Sequence, residues 1–255
     1  MDLNYKEFGQ GDPVVILHGL FGTLDNWQTM AKQLAKDYTV IIVDQRNHGR
    51  SPHADNMNYS LMAEDLKELL ENNWIYKARI IGHSMGGKTA MQFALDYPDM
   101  VEQLAVIDIG PKVYKGNHEG IFEALNRVNL AAIEGRKEAD AVLAETIEDY
   151  GVRQFLLKNL SRNKEGGYRW KMNLPVIQKH YEDILANIEA NEVYEGPALF
   201  VGGGKSDYIS QEDLEEIKAL FPDANMEIVE KSGHWIHAEA PKELYSLLTD
   251  FFKTH

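Results

Sequence analysis

Six short apolar runs punctuate the chain, and each runs into Gly, Asp or a polar turn. They are VVILHG (14–19), YTVIIVDQR (38–46), ARIIGHS (78–84), LAVIDIG (104–110), ALFVGGG (198–204) and MEIVEKSGH (226–234). Nearly continuous Val, Ile and Leu, with little polar alternation, marks strands covered on both faces, as in a parallel sheet. Amphipathic stretches lie between the runs. NYSLMAEDLKELLEN (58–72) sets Leu61, Leu66, Leu69 and Leu70 at helical spacing, and 212–221 and 242–252 do likewise. Strand alternating with helix predicts an α/β fold, with a mostly parallel central sheet flanked by helices. A chain of 255 residues, 44% of them hydrophobic, is long enough for one large core or a core carrying an insertion.

The alternation breaks once, before the last two strand runs. EGIFEALNRVNLAAI, ADAVLAETIEDY, VRQFLLKNL and NLPVIQKHYEDILANI all read as helices, joined by polar turns such as SRNKEGGYR. The expected organisation is a core of 1–111 and 196–255 with a helical cap, 112–195, inserted over the sheet edge. An independent helical domain is the poorer reading, because the sheet pattern resumes immediately afterwards. No internal repeat or low-complexity segment is present.

At RIIGHSMGGK (79–88) a strand pattern passes through Gly82, Ser84 and Gly86 into a helix pattern. A tight strand–turn–helix leaves no room for Cβ atoms beside its turning residue, so glycines flank it. The serine then projects from the sheet while the helix aims its first N–H groups at the same spot. The pentapeptide alone is a weak pattern; its strand-to-helix setting makes Ser84 a candidate nucleophile. A serine hydroxyl needs a base. His234, after the last strand run in KSGHWIHAEAP, falls at the sheet edge where parallel α/β sheets carry their sites. His237 and His48 read as structural, and His83 is expected to point away from the site. An acyl-transfer serine also needs oxyanion donors. The N–H groups of Met85, next to the nucleophile, and of Leu20, in the LHGLFG turn, are the candidates.

Two carboxylates could orient the base. Asp108 closes LAVIDIG in an apolar setting, where a buried carboxylate needs a partner such as an imidazole N–H. Asp207 lies in GGGKSDYIS after the next strand, beside Ser206. The blander roles are a turn-former before Pro111 for the first and a solvated loop residue for the second.

Together LHGLFG, VDQRNHGRSPH, IGHSMGGK, VIDIGP and GHWIHAEAP resemble the YbfF-type esterases of the α/β-hydrolase superfamily along nearly the whole chain, least in the insertion. The resemblance implies an α/β-hydrolase fold and a triad of Ser84, Asp108 and His234, with Ser206 assisting. The chain departs from the family in carrying Asp207 next to that serine, which leaves a shared or switched acid as the alternative.

Composition narrows the class further. A net charge of −14 with no basic patch argues against nucleic acid as a partner. The absence of cysteine excludes a disulfide framework, a thiolate metal site and a Cys nucleophile. No apolar run is long enough to span a membrane. The opening MDLNYKEFGQGDP has neither the basic nor the apolar region of a signal peptide, so a cytoplasmic protein is expected. No metal or cofactor motif is present, and none is expected. The expected activity is hydrolysis of carboxylic esters of short to medium acyl chains through an acyl-enzyme. Its small-molecule partner is an acyl ester or, in the alternative, an acyl thioester. Carbon–carbon bond hydrolysis and a non-enzymatic ligand receptor on the same fold are the remoter alternatives. Dehalogenase and epoxide-hydrolase chemistry need a carboxylate where Ser84 stands.

Overall fold

The computed structural model describes residues 1–188, 190 and 192–254. In chain order the core begins with β1 (Tyr5–Phe8), β2 (Pro13–Leu17), α1 (Gln28–Leu34), β3 (Thr39–Val43), α2 (Tyr59–Asn72), β4 (Ala78–His83), α3 (Met85–Asp96) and β5 (Val101–Ile107). The insertion carries α4 (Glu119–Arg127), α5 (Arg136–Leu143), α6 (Tyr150–Leu157), β6 (Leu160–Arg162), β7 (Tyr168–Trp170), α7 (Leu174–Lys179) and α8 (Tyr181–Leu185). The core resumes with β8 (Ala198–Gly203), α9 (Leu214–Lys218), β9 (Ala224–Val229), α10 (Ile236–Glu239) and α11 (Pro241–Lys253).

Seven strands form the main sheet in the order β1-β3-β2-β4-β5-β8-β9, all parallel except β1, which pairs antiparallel with β3 along the edge. All six apolar runs fall on the parallel strands; the residues of β2, β3, β4, β5 and β8 are nearly all buried, as strands covered on both faces must be, whereas β9, at the sheet edge, exposes Asn225 and Glu227. On one face α1 and α11 pack over Val14, Ile16, Ile42, Ile81 and Ile107. On the other, α2 and α3 pack over Val15, Leu17, Ile80 and Leu104, and that apolar cluster continues into the insertion through Phe122, Leu125 and Leu156. Strand order reverses between β2 and β4, so the loops after these two strands face each other at the C-terminal edge. That is where an open parallel sheet leaves a crevice for a ligand.

The insertion departs from four helices joined by turns. Among the described residues it holds five short helices and an antiparallel two-stranded hairpin, β6–β7. The polar SRNKEGGYR segment forms that hairpin and its turn, where Gly166 and Gly167 take φ of 103° and 71°. The run expected as one helix over NLPVIQKHYEDILANI breaks at His180 into α7 and α8. Glu189 and Asn191, inside the 112–195 boundaries, lie outside the described residues.

Candidate active site

Ser84 occupies the turn between β4 and α3 with φ 52° and ψ −120°. A non-glycine residue held there costs on the order of 1–3 kcal/mol and persists only when its surroundings enforce it. The flanking glycines supply that enforcement. A Cβ on Gly82 would lie 2.2 Å from Gly86 O, and one on Gly86 would lie 2.4 Å from Leu17 O. Neither distance is tolerable, so the elbow closes only with glycine at both positions. The first turn of α3 begins at Met85, directly under the hydroxyl.

Asp108, just past β5, is fully buried and also left-handed, with φ 52°. Its carboxylate gathers three donors. Gly203 N–H binds Oδ1 at 2.8 Å, while the Ser206 hydroxyl and His234 Nδ1–H both bind Oδ2, the latter at 2.7 Å. Because Nδ1 is committed to the carboxylate, Nε2 is the nitrogen left to face the serine. Among the described residues no hydrogen bond joins the Ser84 hydroxyl to His234. Such bonds are commonly long in unliganded enzymes and tighten with substrate. Asp207 is exposed, and no described contact links it to His234. Asp108, Ser206 and His234 are thus brought together by hydrogen bonds, Ser84 and His234 line one cleft, and Asp207 is not among the residues that line it.

The Leu20 and Met85 N–H groups make no hydrogen bond to protein among the described residues, and both residues line the cleft with Ser84. The loop that carries Leu20 is propped from below by two imidazoles. His18 Nδ1–H donates to Gly19 O at 2.8 Å, and its Nε2 accepts from Gln45 N–H at 3.1 Å. His48 Nδ1–H donates to Arg46 O, and its Nε2 accepts from Phe21 N–H at 3.3 Å. Phe21 is itself left-handed, at φ 58°. Burial lowers His18 to about 4 and His48 to about 3, so both rings stay neutral and keep one acceptor nitrogen each.

Three neighbours escaped the sequence reading. His83 does not point away. Its Nε2–H donates to His234 O at 2.8 Å, with the two rings 4.7 Å apart, and burial holds it well below the ordinary value. The Tyr208 ring stacks on His234 at 4.2 Å. His118, from the insertion, meets the Tyr181 hydroxyl at 2.5 Å, and burial lowers it to about 4. The position of Tyr208, two residues beyond Ser206, was the one available signal; the other two depend on long-range packing. His237 stacks on Trp27 at 4.5 Å, in keeping with a structural role, and lines the same cleft.

Among the insertion's apolar residues, Ile121, Phe155 and Leu156 line the cleft. Phe122, Leu125 and Trp170 are buried in the interior, and Val176 packs against it. Among the described residues no group of three or more His, Asp or Glu side chains is arranged to hold a metal ion, and no helix is long and apolar enough to cross a membrane.

A family model described as the alpha/beta hydrolase fold matches residues 12–241. The chain is 41% identical to the sn-1-specific diacylglycerol lipase ABHD11 of Danio rerio, over 99% of this chain and 83% of that protein. It is 40% identical to the esterase YbfF of Escherichia coli (strain K12), over 90% of this chain and 88% of the relative. A solved structure described as a marine microorganism esterase superposes with a TM-score of 0.95 at 42% identity, covering 98% of both chains.

Proposed function

The chain belongs to the α/β-hydrolase family and acts on carboxylic esters, and we propose that it does so as a serine hydrolase of short to medium acyl chains, through an acyl-enzyme on Ser84. The observation that carries this reading is the buried Asp108 carboxylate, which holds His234 Nδ1–H at 2.7 Å beside the nucleophile elbow. Ser84 Oγ attacks the acyl carbon as His234 Nε2 takes its proton. The tetrahedral oxyanion falls to the Leu20 and Met85 N–H groups, each worth about 3 kcal/mol in the barrier. Asp108 fixes the imidazole tautomer and stabilises the imidazolium, which then returns its proton to the departing alcohol. Ser206, donating to the same carboxylate oxygen, holds that oxygen in register with the imidazole. Water repeats the sequence on the acyl-enzyme.

The 112–195 segment is read as a cap. Its Tyr114, His118, Ile121, Phe155 and Tyr181 meet the core's Leu20, Ser84 and His234 around one largely apolar cleft. The exposure of Asp207 weighs against carbon–carbon bond hydrolysis with the acid in the later loop. The diacylglycerol-lipase relatives place neutral glycerolipids in the substrate panel beside simple acyl esters.

The test joins a fluorophosphonate label with a substrate panel. The probe should modify Ser84, and Ser84→Ala should abolish labelling and lower kcat by ~10⁴ or more while the fold persists. A folded variant that keeps a tenth of wild-type turnover would remove the serine from its role. If acyl thioesters outperform matched esters by kcat/KM, the leaving group is a thiol rather than an alcohol.

A further inference from the structure

One buried charge has no part in this mechanism. Lys88 lies on α3 one turn beyond Ser84, its N–H bonded to Ser84 O at 3.1 Å, and it is 1% exposed. No carboxylate pairs with it among the described residues, and burial alone pushes its ammonium down to about 7. A cation at that depth must find its partners elsewhere. It finds three backbone carbonyls, one for each N–H: Lys112 O at 2.8 Å, Leu185 O at 3.4 Å, and Ala186 O. The Tyr114 and Tyr59 rings flank it, with centroids 4.8 and 5.7 Å from Nζ.

The three carbonyls belong to two chain segments. Lys112 is in the segment that leads into the cap; Leu185 and Ala186 are in the one that leads out. The two segments are also bonded to each other, through Tyr114 N–H to Leu185 O at 2.9 Å and Ile188 N–H to Pro111 O at 2.7 Å. Tyr59, from α2, adds a bond from its hydroxyl to Ile184 O at 2.7 Å. Both crossings of the cap therefore converge on one cation carried by the nucleophile helix. The adjoining Tyr114, Ile184 and Leu185 side chains line the cleft over Ser84.

We propose that Lys88 is a positioning residue for ester hydrolysis: its ammonium clasps the entry and exit segments of the cap to the first turns of the nucleophile helix and so fixes the roof of the acyl pocket. The proposal rests on the reading of 112–195 as a cap over Ser84. A hydrophobic lysine stem would serve packing alone. Three carbonyls around one nitrogen match the three N–H groups of the ammonium.

Lys88→Met keeps the length of the side chain and removes the donors. For octanoyl p-nitrophenyl ester kcat/KM should fall at least about tenfold, mainly through KM, because that chain needs the roof. The acetyl ester, held by the elbow and oxyanion donors alone, should change less than about threefold. The chain has no cysteine, so Lys88→Cys can be aminoethylated at one site in denaturant and refolded, beside wild type taken through the same steps. The thioether ammonium so formed should restore the octanoyl rate, whereas unmodified Lys88→Cys should not. An equal loss at all chain lengths, an unchanged octanoyl-to-acetyl ratio, or failure of the regenerated ammonium to restore it would overturn the clasp.

Hydrogen exchange on wild type gives a reading that does not depend on the variants folding. The Tyr114 and Ile188 amides should exchange within about tenfold of those in β5. Exchange as fast as in the exposed 163–167 turn would refute a fixed roof. Wild type inactive on esters of every length would instead refute the proposed function, with the hinge measurement still standing on its own.

Discussion

Replacing Asp108 by Asn separates the two candidate acids and tests the chemistry at one atom. Asn is the proper probe because it matches Asp in volume and tolerates the left-handed backbone, φ 52°, that Asp108 adopts. Oδ1 would keep the Gly203 N–H bond at 2.8 Å. At Oδ2 an NH₂ group would then face two former donors, the Ser206 hydroxyl and His234 Nδ1–H. The hydroxyl can rotate and accept. The imidazole can accept only by moving its proton to Nε2, and an Nε2–H cannot take the proton of Ser84. The fold persists, and kcat should fall by ~10⁴, about 5 kcal/mol of lost transition-state stabilisation. Asp207 is exposed and makes no described contact with His234, so Asp207→Asn should stay within about ±0.5 kcal/mol, or roughly twofold in rate. The assay is steady-state hydrolysis of p-nitrophenyl butyrate at pH 8, with circular dichroism to verify the fold. A loss under tenfold in Asp108→Asn, or a comparable loss in Asp207→Asn, would refute the assignment and move or share the acid.

Acid should destabilise the fold through the two neutral imidazoles beneath the Leu20 loop. His18 is held at about 4 and His48 at about 3, below the ordinary value of about 6.5, so between these limits the unfolded chain binds more protons and stability falls as pH falls. By pH 4 His18 alone should withdraw on the order of 3 kcal/mol, and urea midpoints that stay flat between pH 6.5 and 4.5 would contradict this. Ile121 and Val152 of the insertion both line the cleft, and enlarging either, as in Ile121→Phe or Val152→Phe, should shorten the preferred acyl chain while sparing acetyl esters. A chain-length profile that is unchanged across Ile121, Val152 and Phe155 would make the insertion a mere cover.

The parallel core was legible because its signal is local. A strand covered on both faces is apolar over most of its length, and β2, β3, β8, the middle of β4 and the second half of β5 are written that way. The strands that escaped carry no such requirement. β1, YKEF, runs along the sheet edge with every side chain at least partly exposed. β6 and β7 have three residues each, and their alternation is too short to set against the helical pattern on either side. The same limit cut the insertion's helices short. EGIFEALNRVNLAAI keeps an apolar stripe beyond the end of α4 at Arg127, but its last residues pack as a turn. Periodicity records which face is apolar and says little about where the backbone stops winding.

The site divides along a similar line. Ser84, His234 and Asp108 could be put forward from the sequence because each sits at the end of a strand run, where topology alone brings strand termini to one edge. The frame around them did not, because its members act through whichever element tertiary packing sets beside them. His83 was misjudged from its place inside the elbow: the side chain lines the cleft and its Nε2–H reaches the backbone carbonyl of His234. His18 and His48 illustrate why such residues are histidines at all. Each must donate to one backbone carbonyl and accept from one backbone N–H within a buried loop. A neutral imidazole does both from opposite edges of one rigid ring, whereas a protonated ring has no acceptor left. The burial that makes them poor acids and bases is therefore the property that lets them hold the Leu20 loop in shape, and in the proposed mechanism it leaves His234, on its buried carboxylate, to carry the proton transfer.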